Sequence, residues 1–575
     1  MTFWFNTVRD LTIQLVRWPS VTNTAGERDL PFHLRDWLAT TPYFRANPTH
    51  LRVERTTNDA HERANLYALV RGSGAATVVL VGHFDVVSIA NYGHLEPWAC
   101  DPEALLPRLI AELAAHAHSA ADQKALQDLL SGDYLPGRGA LDMKSGLAAG
   151  LAVLLHFASQ PERYGNLLFV TTPDEEEASN GARSAVLQLP ELAREWDLDL
   201  LAAINLDASS DHGDGSMGQA AFLGTVGKFL PAVYIVGHDT HAGYPFDGIN
   251  PNLLAAAITQ RIECNVALCD EVADDCAPPP TSLKQTDLKT YYDVTTPSAA
   301  WCYFNYLTVG RPASTVLALF IAEVRSAIEA VLLTQYTNAQ HYAARTGAIT
   351  TPWQATVLSF AELHERALRS GGVATETALQ NFMITLLVNP MLDAPTWTRR
   401  IVEFLWTQSG LAGPAAVVCF GSLHYPHSLV GSESPHERRL LRVVQAATAQ
   451  LAAERATPIS VRSFFTGISD MSFYGSAMTT EDQAVVVENT PLWGAGLQFD
   501  YTAVRRLNMP IVNIGPWGRD YHQRLERLYL PYSCETLPEL IWRVASGVLA
   551  DDSETLLDEA VDYGVAATAG TPYRS

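Results

Sequence analysis

Short apolar runs that alternate with helix-like stretches constrain the fold of this chain most. Thr77–Gly82 (TVVLVG), Leu167–Thr171 and Leu201–Leu206 are short, continuous and rich in strand-forming residues, which predicts buried β-strands. The apolar stretch Ser145–Phe157 follows a glycine-rich turn and has the length of a helix. Strands that alternate with helices are typical of a mainly parallel sheet with helices on both faces. The predicted fold class is therefore α/β.

The pattern changes between about residues 222 and 427 and then returns. In this middle part we predict strands at Phe229–Gly237, Trp301–Val309 and Ala415–Ser422, helices at Asn252–Ile262 and Ser314–Gln335, a loop at Glu271–Pro297 and mostly helix over 336–412. Beyond it we predict a helix from about 433 through Leu451, a strand at Pro510–Gly515 and a last helix at Leu537–Leu549. We therefore predict a discontinuous catalytic domain, residues 1–221 and 428–575, interrupted by a smaller inserted α/β lid domain at 222–427 that carries an extra helical insertion at about 336–412.

Composition and charge exclude several classes of protein. The 575 residues include 39 Lys and Arg against 62 Asp and Glu, a net charge of −23, which argues against nucleic-acid binding because phosphate contacts need a basic face. Seven scattered cysteines without a C-x-x-C pair argue against a disulfide framework. The N-terminus lacks a signal-peptide core, and the longest apolar run, Leu147–Ala158, is shorter than the ~18 residues that suggest a membrane span. We expect a soluble, cytoplasmic protein.

Potential metal ligands follow four of the predicted strands. They are His83 with Asp85, the acidic run Asp174 to Glu177, Asp207 and His522. In open α/β sheets, functional sites lie outside the carboxyl ends of the strands. His83 and Asp85 are two residues apart on an extended chain, so Asp85 can orient the imidazole and leave its other nitrogen for a metal. Any one of these patterns alone is as well explained by exposed polar residues; their convergence favours a metal site.

Two further acidic elements extend this hypothesis. The loop GRGALDMKSG presents Asp142, whose two carboxylate oxygens can bridge two cations, although by itself Asp142 is equally explained as a helix cap. Among the adjacent glutamates, one can bind metal while its neighbour takes a proton from the attacking water. The spacing alone leaves open which of Glu175, Glu176 and Glu177 does which.

In these motifs the chain resembles the co-catalytic zinc metallopeptidases, a family that includes aminoacylases, carboxypeptidase G, succinyl-diaminopimelate desuccinylase and many dipeptidases. The matching stretches occur in the family's order between about residues 80 and 526: VGHFDVV, GRGALDMKSG, PDEEEASNGARS, NLD, GHDTHAGYPFDGINPN and GPWGRDYHQRLE. The segment SFFTGISDMSFYG (463–475), the WCYFNYLT strand and the long insertion are most similar to the arginine-utilisation branch of the family.

The resemblance implies a site with two divalent metal ions per chain. Asp142 would bridge the two ions, His83 and Asp207 would complete one site, and Glu176 and His522 the other. Zinc is the implied metal, and the ligand set of nitrogen and oxygen also suits cobalt or manganese.

The remaining roles also come from the resemblance. The family places a glycine five residues after the metal-binding glutamate, which matches Gly181 and Glu176 and leaves Glu175 as the general acid/base. Asp85 would orient the first histidine, and His241 of the inserted domain would stabilise the oxyanion, often from the partner subunit. Asn250 and Arg519 are candidate substrate contacts.

The implied activity is hydrolysis of an amide bond in a small substrate. An N-acyl amino acid is the leading candidate, including acyl-arginine or acyl-ornithine, and a dipeptidase or aminopeptidase on the same site is the alternative. A non-catalytic metal-binding scaffold is a different class of function, which the filled ligand positions disfavour. The inserted domain is the usual dimerisation surface of the family, so a homodimer through it is one implied alternative. The other is that the enlarged 336–412 segment covers or replaces this surface, which leaves the oligomeric state open.

Overall fold

The structure is a computed structural model that describes residues 3–116, 119–211, 215, 218–272, 275–387, 392–455, 457–475, 478–495 and 497–550. Its helices are α1 Phe3–Val16, α2 Ala25–Ala39, α3 Pro42–Ala46, α4 Pro102–His116, α5 Ala120–Ser131, α6 Ser145–Ser159, α7 Asn180–Glu195, α8 Pro251–Ile262, α9 Ala313–Thr346, α10 Phe360–Leu387, α11 Ala394–Gln408, α12 Pro435–Arg455, α13 Thr480–Asn489, α14 Tyr501–Leu507 and α15 Leu537–Leu549. Its strands are β1 Leu51–Arg55, β2 Ala64–Arg71, β3 Ser73–His83, β4 Tyr134–Pro136, β5 Tyr164–Thr172, β6 Asp199–Asn205, β7 Ser209–Ser210, β8 Ala220–Phe222, β9 Gly224–Thr225, β10 Gly227–Phe229, β11 Pro231–Val236, β12 Glu271–Val272, β13 Asp275–Cys276, β14 Thr281–Asp287, β15 Ala299–Thr308, β16 Thr356–Ser359, β17 Ala415–Phe420, β18 Ser428–Leu429, β19 Ser460–Arg462, β20 Ile511–Asn513, β21 Trp517–Arg519 and β22 Arg527–Tyr529.

The larger sheet has eight strands in the order β1-β2-β5-β3-β6-β20-β8-β19. Its central strands β5, β3, β6 and β20 are parallel to one another, and β1, β2 and β8 add antiparallel pairs. Side chains alternate between the faces: Val78 and Leu80 pack in a core with α1, α6, α12 and α15, whereas Val79 and Val81 pack in a core with α7. The expected α/β fold with helices on both faces is confirmed. Strands β3 and β5 contain the predicted strands, β6 covers all of Leu201–Leu206 but its last residue, and β20 is the middle of the predicted Pro510–Gly515.

The second sheet has the order β10-β15-β11-β17-β16, with β14 paired to β15. Helices α8 and α9 cover one face and α10 and α11 the other, so most of the segment 336–412 closes the outer face of this sheet. The predicted strand Phe229–Gly237 is two strands, β10 and β11, which are separated at Leu230. Pro231 begins the second of them, and proline has no N–H to continue a hydrogen-bonded ladder.

The prediction of a loop over Glu271–Pro297 is wrong in its central part. Thr281–Asp287 is a strand that pairs antiparallel with β15 along its whole length. This strand lies at an edge of the sheet, and five of its seven side chains are exposed. A polar sequence on an exposed edge lacks the apolar alternation by which strands are recognised.

The chain passes between the two sheets at two adjacent points. Gly224–Thr225 and Ser428–Leu429 pair antiparallel as β9 and β18, directly after β8 of the first sheet and close behind β17 of the second. All strands of the second sheet come from the chain between these points. The exact domain boundaries, 221/222 and 427/428, remain a prediction.

Two features bear on the sequence expectations about cysteines and membranes. All seven cysteines are free thiols, as the scattered pattern predicts. Among the described residues, one helical stretch, Ala140–Ser159, is long and apolar enough to cross a membrane, but 83% of it is buried within the fold, as in a helix of a protein core.

Candidate metal centre

The carboxyl ends of the central strands bring five potential metal ligands together. His83 ends β3, Glu176 follows β5, Asp207 follows β6, and His522 follows β20 and β21. Asp142 comes from the loop before α6. Because parallel strands end at the same edge of a sheet, residues far apart in sequence meet there. They form two groups that could each hold a metal ion, one of His83, Asp142 and Asp207 and one of Asp142, Glu176 and His522.

Asp142 belongs to both groups and faces a histidine with each of its oxygens. His83 Nε2 lies 3.3 Å from Asp142 Oδ1 and 3.6 Å from Asp207 Oδ1. On the other side, His522 Nε2 lies 3.1 Å from Asp142 Oδ2 and 3.1 Å from Glu176 Oε2. Within each group the ligand atoms lie within 4.8 Å of one another. This arrangement suits a carboxylate shared between two cations.

Asp85 organises the site in two ways. The backbone carbonyl oxygen of Asp85 lies 3.1 Å from His83 Nδ1 and its carboxylate 3.5 Å; since a carbonyl oxygen only accepts, Nδ1 carries the hydrogen and Nε2 is left for a metal. The carboxylate also accepts hydrogen bonds from the backbone N–H groups of Glu175 and Glu176, at 3.1 and 3.3 Å. This second role, which sets the direction of both glutamates, is not visible in the spacing of the sequence.

Two oxygen atoms test whether the residues fit a metal. Asp142 Oδ1 and Glu176 Oε1 are buried and accept no hydrogen bond among the described residues. A buried carboxylate oxygen without a donor is costly unless a cation or water satisfies it. The donor set, two imidazoles and three carboxylates, is the one that zinc, cobalt and manganese accept. The site therefore fits divalent metal ions.

The electrostatics of the site reflect its crowded acids. Burial raises the pKa of Glu175 well above its ordinary value, and the nearby carboxylates of Asp207 and Asp470 raise it further. Burial lowers the pKa of His522, but its hydrogen bonds to Asp142 and Glu176 outweigh this effect and raise the pKa to about 10. In this state His522 carries positive charge that compensates the carboxylates of Asp142 and Glu176, a role that bound cations can take over.

Three buried residues support the ligands from behind, and the sequence did not single them out. Asn513 accepts the Asp207 N–H and donates to the Asp207 carbonyl, both at 3.0 Å. Glu526 accepts the Asp142 N–H at 3.3 Å and pairs with Arg138 at 2.5 Å. The carboxylate of Asp470 accepts from Thr172 Oγ1 at 3.1 Å, and burial raises its pKa to about 7.

The signals for these residues were weak in the sequence. Asn513 lies inside a predicted strand, and Glu526 lies in the GPWGRDYHQRLE motif beyond its histidine. Asp470 lies in the segment that most resembles one branch of the family. None of them directly follows the end of a predicted strand, so the rule that located the ligands, which considers the residues after each strand, does not identify them.

His241, Asn250 and Arg519 are not brought into either metal group. His241 lies on an exposed loop of the second sheet, where its ring Nδ1 accepts the Gly243 N–H at 3.0 Å. The side chain of Asn250 caps α8 by accepting the Asn252 N–H at 3.0 Å. The Arg519 guanidinium lies over the ring of Trp517, and its Nε lies 3.5 Å from Asp128. Their catalytic and substrate-binding roles remain predictions.

A cavity of about 310 Å³ opens onto the two groups. Asp142, Glu175, Glu176, Asp207 and His522 line it. Residues from β10 and from the segments after β17 and β19 complete the lining: Lys228, Tyr425, Phe465, Gly467 and Ile468. A cavity of this size admits a small molecule.

Comparison with known proteins agrees with this geometry. Residues 79–492 match the model of peptidase family M20/M25/M40. The chain is 31% identical to protein RocB of Bacillus subtilis (strain 168), covering 93% of each chain, and 32% identical to the uncharacterized protein YqjN of the same organism, covering 94% of this chain and 96% of the other. It is 30% identical to succinyl-diaminopimelate desuccinylase 2 of Shewanella loihica over 40% of this chain and 52% of the other. The expected family is confirmed: the chain belongs to peptidase family M20/M25/M40 and is a metallohydrolase.

Proposed function

We propose that this protein hydrolyses the amide bond of an N-acyl amino acid at a site with two divalent metal ions. The arrangement of two ligand groups around Asp142, with the buried Glu175 beside them, is the observation that carries the proposal. The deacylase activity named for succinyl-diaminopimelate desuccinylase 2 supports this reaction class. The similarity to the arginine-utilisation branch favours acyl-arginine or acyl-ornithine as substrates.

His83, Asp142 and Asp207 would hold one ion, and Asp142, Glu176 and His522 the other, with zinc as the first metal to test. When bound, such ions supply an attacking water of lowered pKa and polarise the amide carbonyl. The residues of the chain determine where this chemistry takes place, because hydrogen bonds with Asp85 and Asn513 fix the orientation of the neighbouring ligands.

Glu175 is the proposed general acid/base. Its carboxylate lines the cavity and its Oε2 lies 3.9 Å from His83 Nε2. It takes a proton from the attacking water and returns it to the nitrogen of the departing amine, so that one group serves both halves of the reaction. Burial favours the protonated form of Glu175 and neighbouring cations favour the ionised form, so the carboxyl can both accept and return a proton during the reaction.

His241 is the proposed stabiliser of the oxyanion formed at the carbonyl. Its loop is exposed and belongs to the second sheet. We propose that it reaches a metal centre by closure of the inserted domain or from the partner subunit of a homodimer. A cytoplasmic location is proposed from the composition of the chain.

A hydrolysis screen tests the proposal directly. Panels of N-acyl amino acids and of dipeptides are incubated with the protein in the presence of zinc, cobalt or manganese, and the released amine is measured. We expect acyl amino acids, with acyl-arginine and acyl-ornithine among them, to be cleaved faster than dipeptides. Preferential cleavage of dipeptides would replace deacylation by dipeptidase activity, and no cleavage in either panel would contradict the proposed reaction.

The variant Glu175→Ala tests the mechanism. Loss of a general base lowers turnover by about 10²- to 10⁴-fold, while two metal ions per chain should still bind because Glu175 belongs to neither group. Glu191→Ala, which changes an exposed glutamate on α7, is the matched control. Near-normal turnover of Glu175→Ala would refute the assignment of the base.

A further inference from the structure

A lysine from the second sheet contributes a positive charge to the wall of the metal-site cavity. Lys228 lies at the centre of the short strand β10 and lines the cavity together with Glu175 and Asp207. It lies outside every motif that carried the family resemblance.

The fold directs this side chain into the cavity. The backbone N–H of Lys228 donates to the Tyr425 carbonyl at 2.8 Å, and the Tyr425 N–H donates to the Lys228 carbonyl at 3.1 Å. The next residue, Phe229, packs in the core, with ring centroids 4.9 Å from Phe420 and 4.3 Å from His424. Because successive side chains of a strand point to opposite faces, Lys228 faces away from that core and towards the cavity.

The ammonium group of Lys228 has an aromatic neighbour but no ion pair. Its Nζ lies 5.5 Å from the centroid of the Tyr425 ring. Within the part of the chain that the structure describes, no carboxylate oxygen lies within 4.0 Å of this atom. Burial lowers the pKa of Lys228, and the charge of Glu175 partly opposes this effect. A cation that is partly buried without a counter-ion lowers the stability of the fold unless a ligand supplies the negative charge.

The lining of the cavity therefore offers two kinds of binding group. The metal groups would attract the carbonyl of an amide, whereas Lys228 offers a charged donor. We propose that Lys228 binds the carboxylate of the substrate and so selects N-acyl amino acids over neutral amides. This inference rests on the proposed function, since it identifies the group on the substrate that the same site recognises. Ammonium groups bind carboxylates through charge-assisted hydrogen bonds.

The ring of Tyr425 provides the supporting surface for this lysine. Tyr425 is buried, and its hydroxyl accepts a hydrogen bond from Ser179 Oγ at 3.3 Å. Ser179 follows the glutamates of the metal site by a few residues. The same tyrosine thus contacts both the lysine and the segment that follows Glu175 and Glu176, so packing within the fold links Lys228 to the metal groups.

Equilibrium binding to a pair of probes tests the proposal. N-acetyl-L-arginine and N-acetyl-L-argininamide differ only in the carboxylate, and their affinities are measured by calorimetry on the metal-loaded full chain with Glu175→Gln, which blocks turnover. In that background Lys228→Met should lower the affinity for the carboxylate probe by about 10- to 100-fold, as expected for hydrogen bonds to a charged group. The affinity for the carboxamide probe should remain nearly unchanged. Lys228→Arg should retain most of the affinity for the carboxylate.

Two controls separate carboxylate recognition from a structural role. Lys284→Met removes an exposed lysine on β14 of the same sheet and should alter neither affinity. The carboxamide probe reports whether the cavity of each Lys228 variant is intact. Equal weakening of both probes by Lys228→Met, an unchanged carboxylate affinity, or failure of the carboxylate probe to bind the parent protein would overturn the inference.

Turnover distinguishes this inference from the proposed function. If the otherwise unchanged enzyme cleaves N-acyl amino acids, Lys228→Met should raise KM for them more than it lowers kcat, because the lost interaction is present before the reaction as well as during it. If the enzyme cleaves amides while Lys228→Met keeps its preference for carboxylate over carboxamide, Lys228 is wrongly assigned and the proposed function stands. If the probes bind through Lys228 but no acyl amino acid is cleaved, the proposed function fails.

Discussion

The two metal groups share Asp142 but differ in how the fold holds them. In the first group His83 is 2% exposed, ends a central strand and is fixed through Nδ1 by Asp85. In the second group His522 is 43% exposed and lies on a loop with φ 64°. Asn91 and Arg138 donate to its backbone carbonyl at 3.1 and 3.2 Å, and its ring nitrogen Nε2 lies 3.1 Å from the carboxylates of Asp142 and Glu176.

This difference indicates that the two groups have different tasks. A ligand that is buried and held by a second residue loses little freedom when it binds metal, so its affinity is high. A ligand on an exposed loop binds more weakly, but it leaves its side of the centre open to the cavity and to substrate. We therefore expect the ion of the His83 group to be the tightly held one.

The largest effect is expected from the residue that the groups share. Asp142→Ala removes a ligand from both groups, so we expect loss of both ions, measured by mass spectrometry of bound metal, and a loss of activity of about 10³-fold or more, because metal ions supply several kcal/mol of transition-state stabilisation. The exposed Asp10→Ala is the control. Retention of one tightly bound ion would show that the groups are independent.

Removing one histidine from each group tests the comparison itself. His522→Ala should leave one ion per chain, which resists chelator concentrations that remove the weaker ion from the unchanged protein. His83→Ala should lower the affinity for both ions, because the remaining ligands of the first group are then poorly compensated carboxylates. Metal content after dialysis against graded chelator measures both variants. The comparison fails if the ion remaining in His522→Ala is the more easily removed one.

A smaller effect is expected from the support behind a single ligand. Asn513→Ala removes the two hydrogen bonds that fix Asp207, and loss of such supporting contacts lowers metal affinity by about 10- to 100-fold. The loss of metal affinity should be confined to the ion held by His83, Asp142 and Asp207. Asn489→Ala, which removes a buried asparagine that holds α10 and α13, is the matched control and should change stability without changing metal affinity.

A further expected effect, on stability and not on metal affinity, is a pH dependence on the His83 side. Glu27 is buried near Asp85, and burial raises its pKa to about 8 from an ordinary value of 4.5. The folded state therefore binds more protons than the unfolded state between those values, so this group makes stability fall as the pH rises from about 4.5 to 8. Glu27→Gln should reduce that fall by up to ~1.4 kcal/mol per pH unit, measured by denaturant unfolding at several pH values. An unchanged slope would contradict the role of Glu27.

The sequence located the sheet and the ligands through one physical rule. Buried parallel strands are continuous apolar runs, and their carboxyl ends converge at one edge, so His83 and Asp207 were found from the residues alone. The choice among Glu175, Glu176 and Glu177 needed the resemblance to known proteins, because adjacent carboxylates are equivalent in spacing. The structure places Glu176 with His522 and leaves Glu175 facing the cavity.

Other features of the structure could not be predicted from patterns in the sequence. β14 is a polar edge strand, whose pairing depends on β15 rather than on its own side chains. Asn250 has the sequence context of a substrate contact, and the structure shows its side chain capping a helix. Asp85 holds the amides of two glutamates some ninety residues away in the chain, a contact that no local pattern records.

The sequence by itself determined the fold class, the family and the end of the sheet at which the chemistry lies, because apolar periodicity and the residues that follow each strand are local properties. Tertiary structure alone decided which buried residues stand behind the ligands and which side chains complete the cavity. Asn513, Glu526 and Lys228 reach the site only through strand pairing and packing between distant segments. Such contacts depend on the relative positions of whole elements, and these are set by the packing of both sheets and not by any one stretch of sequence.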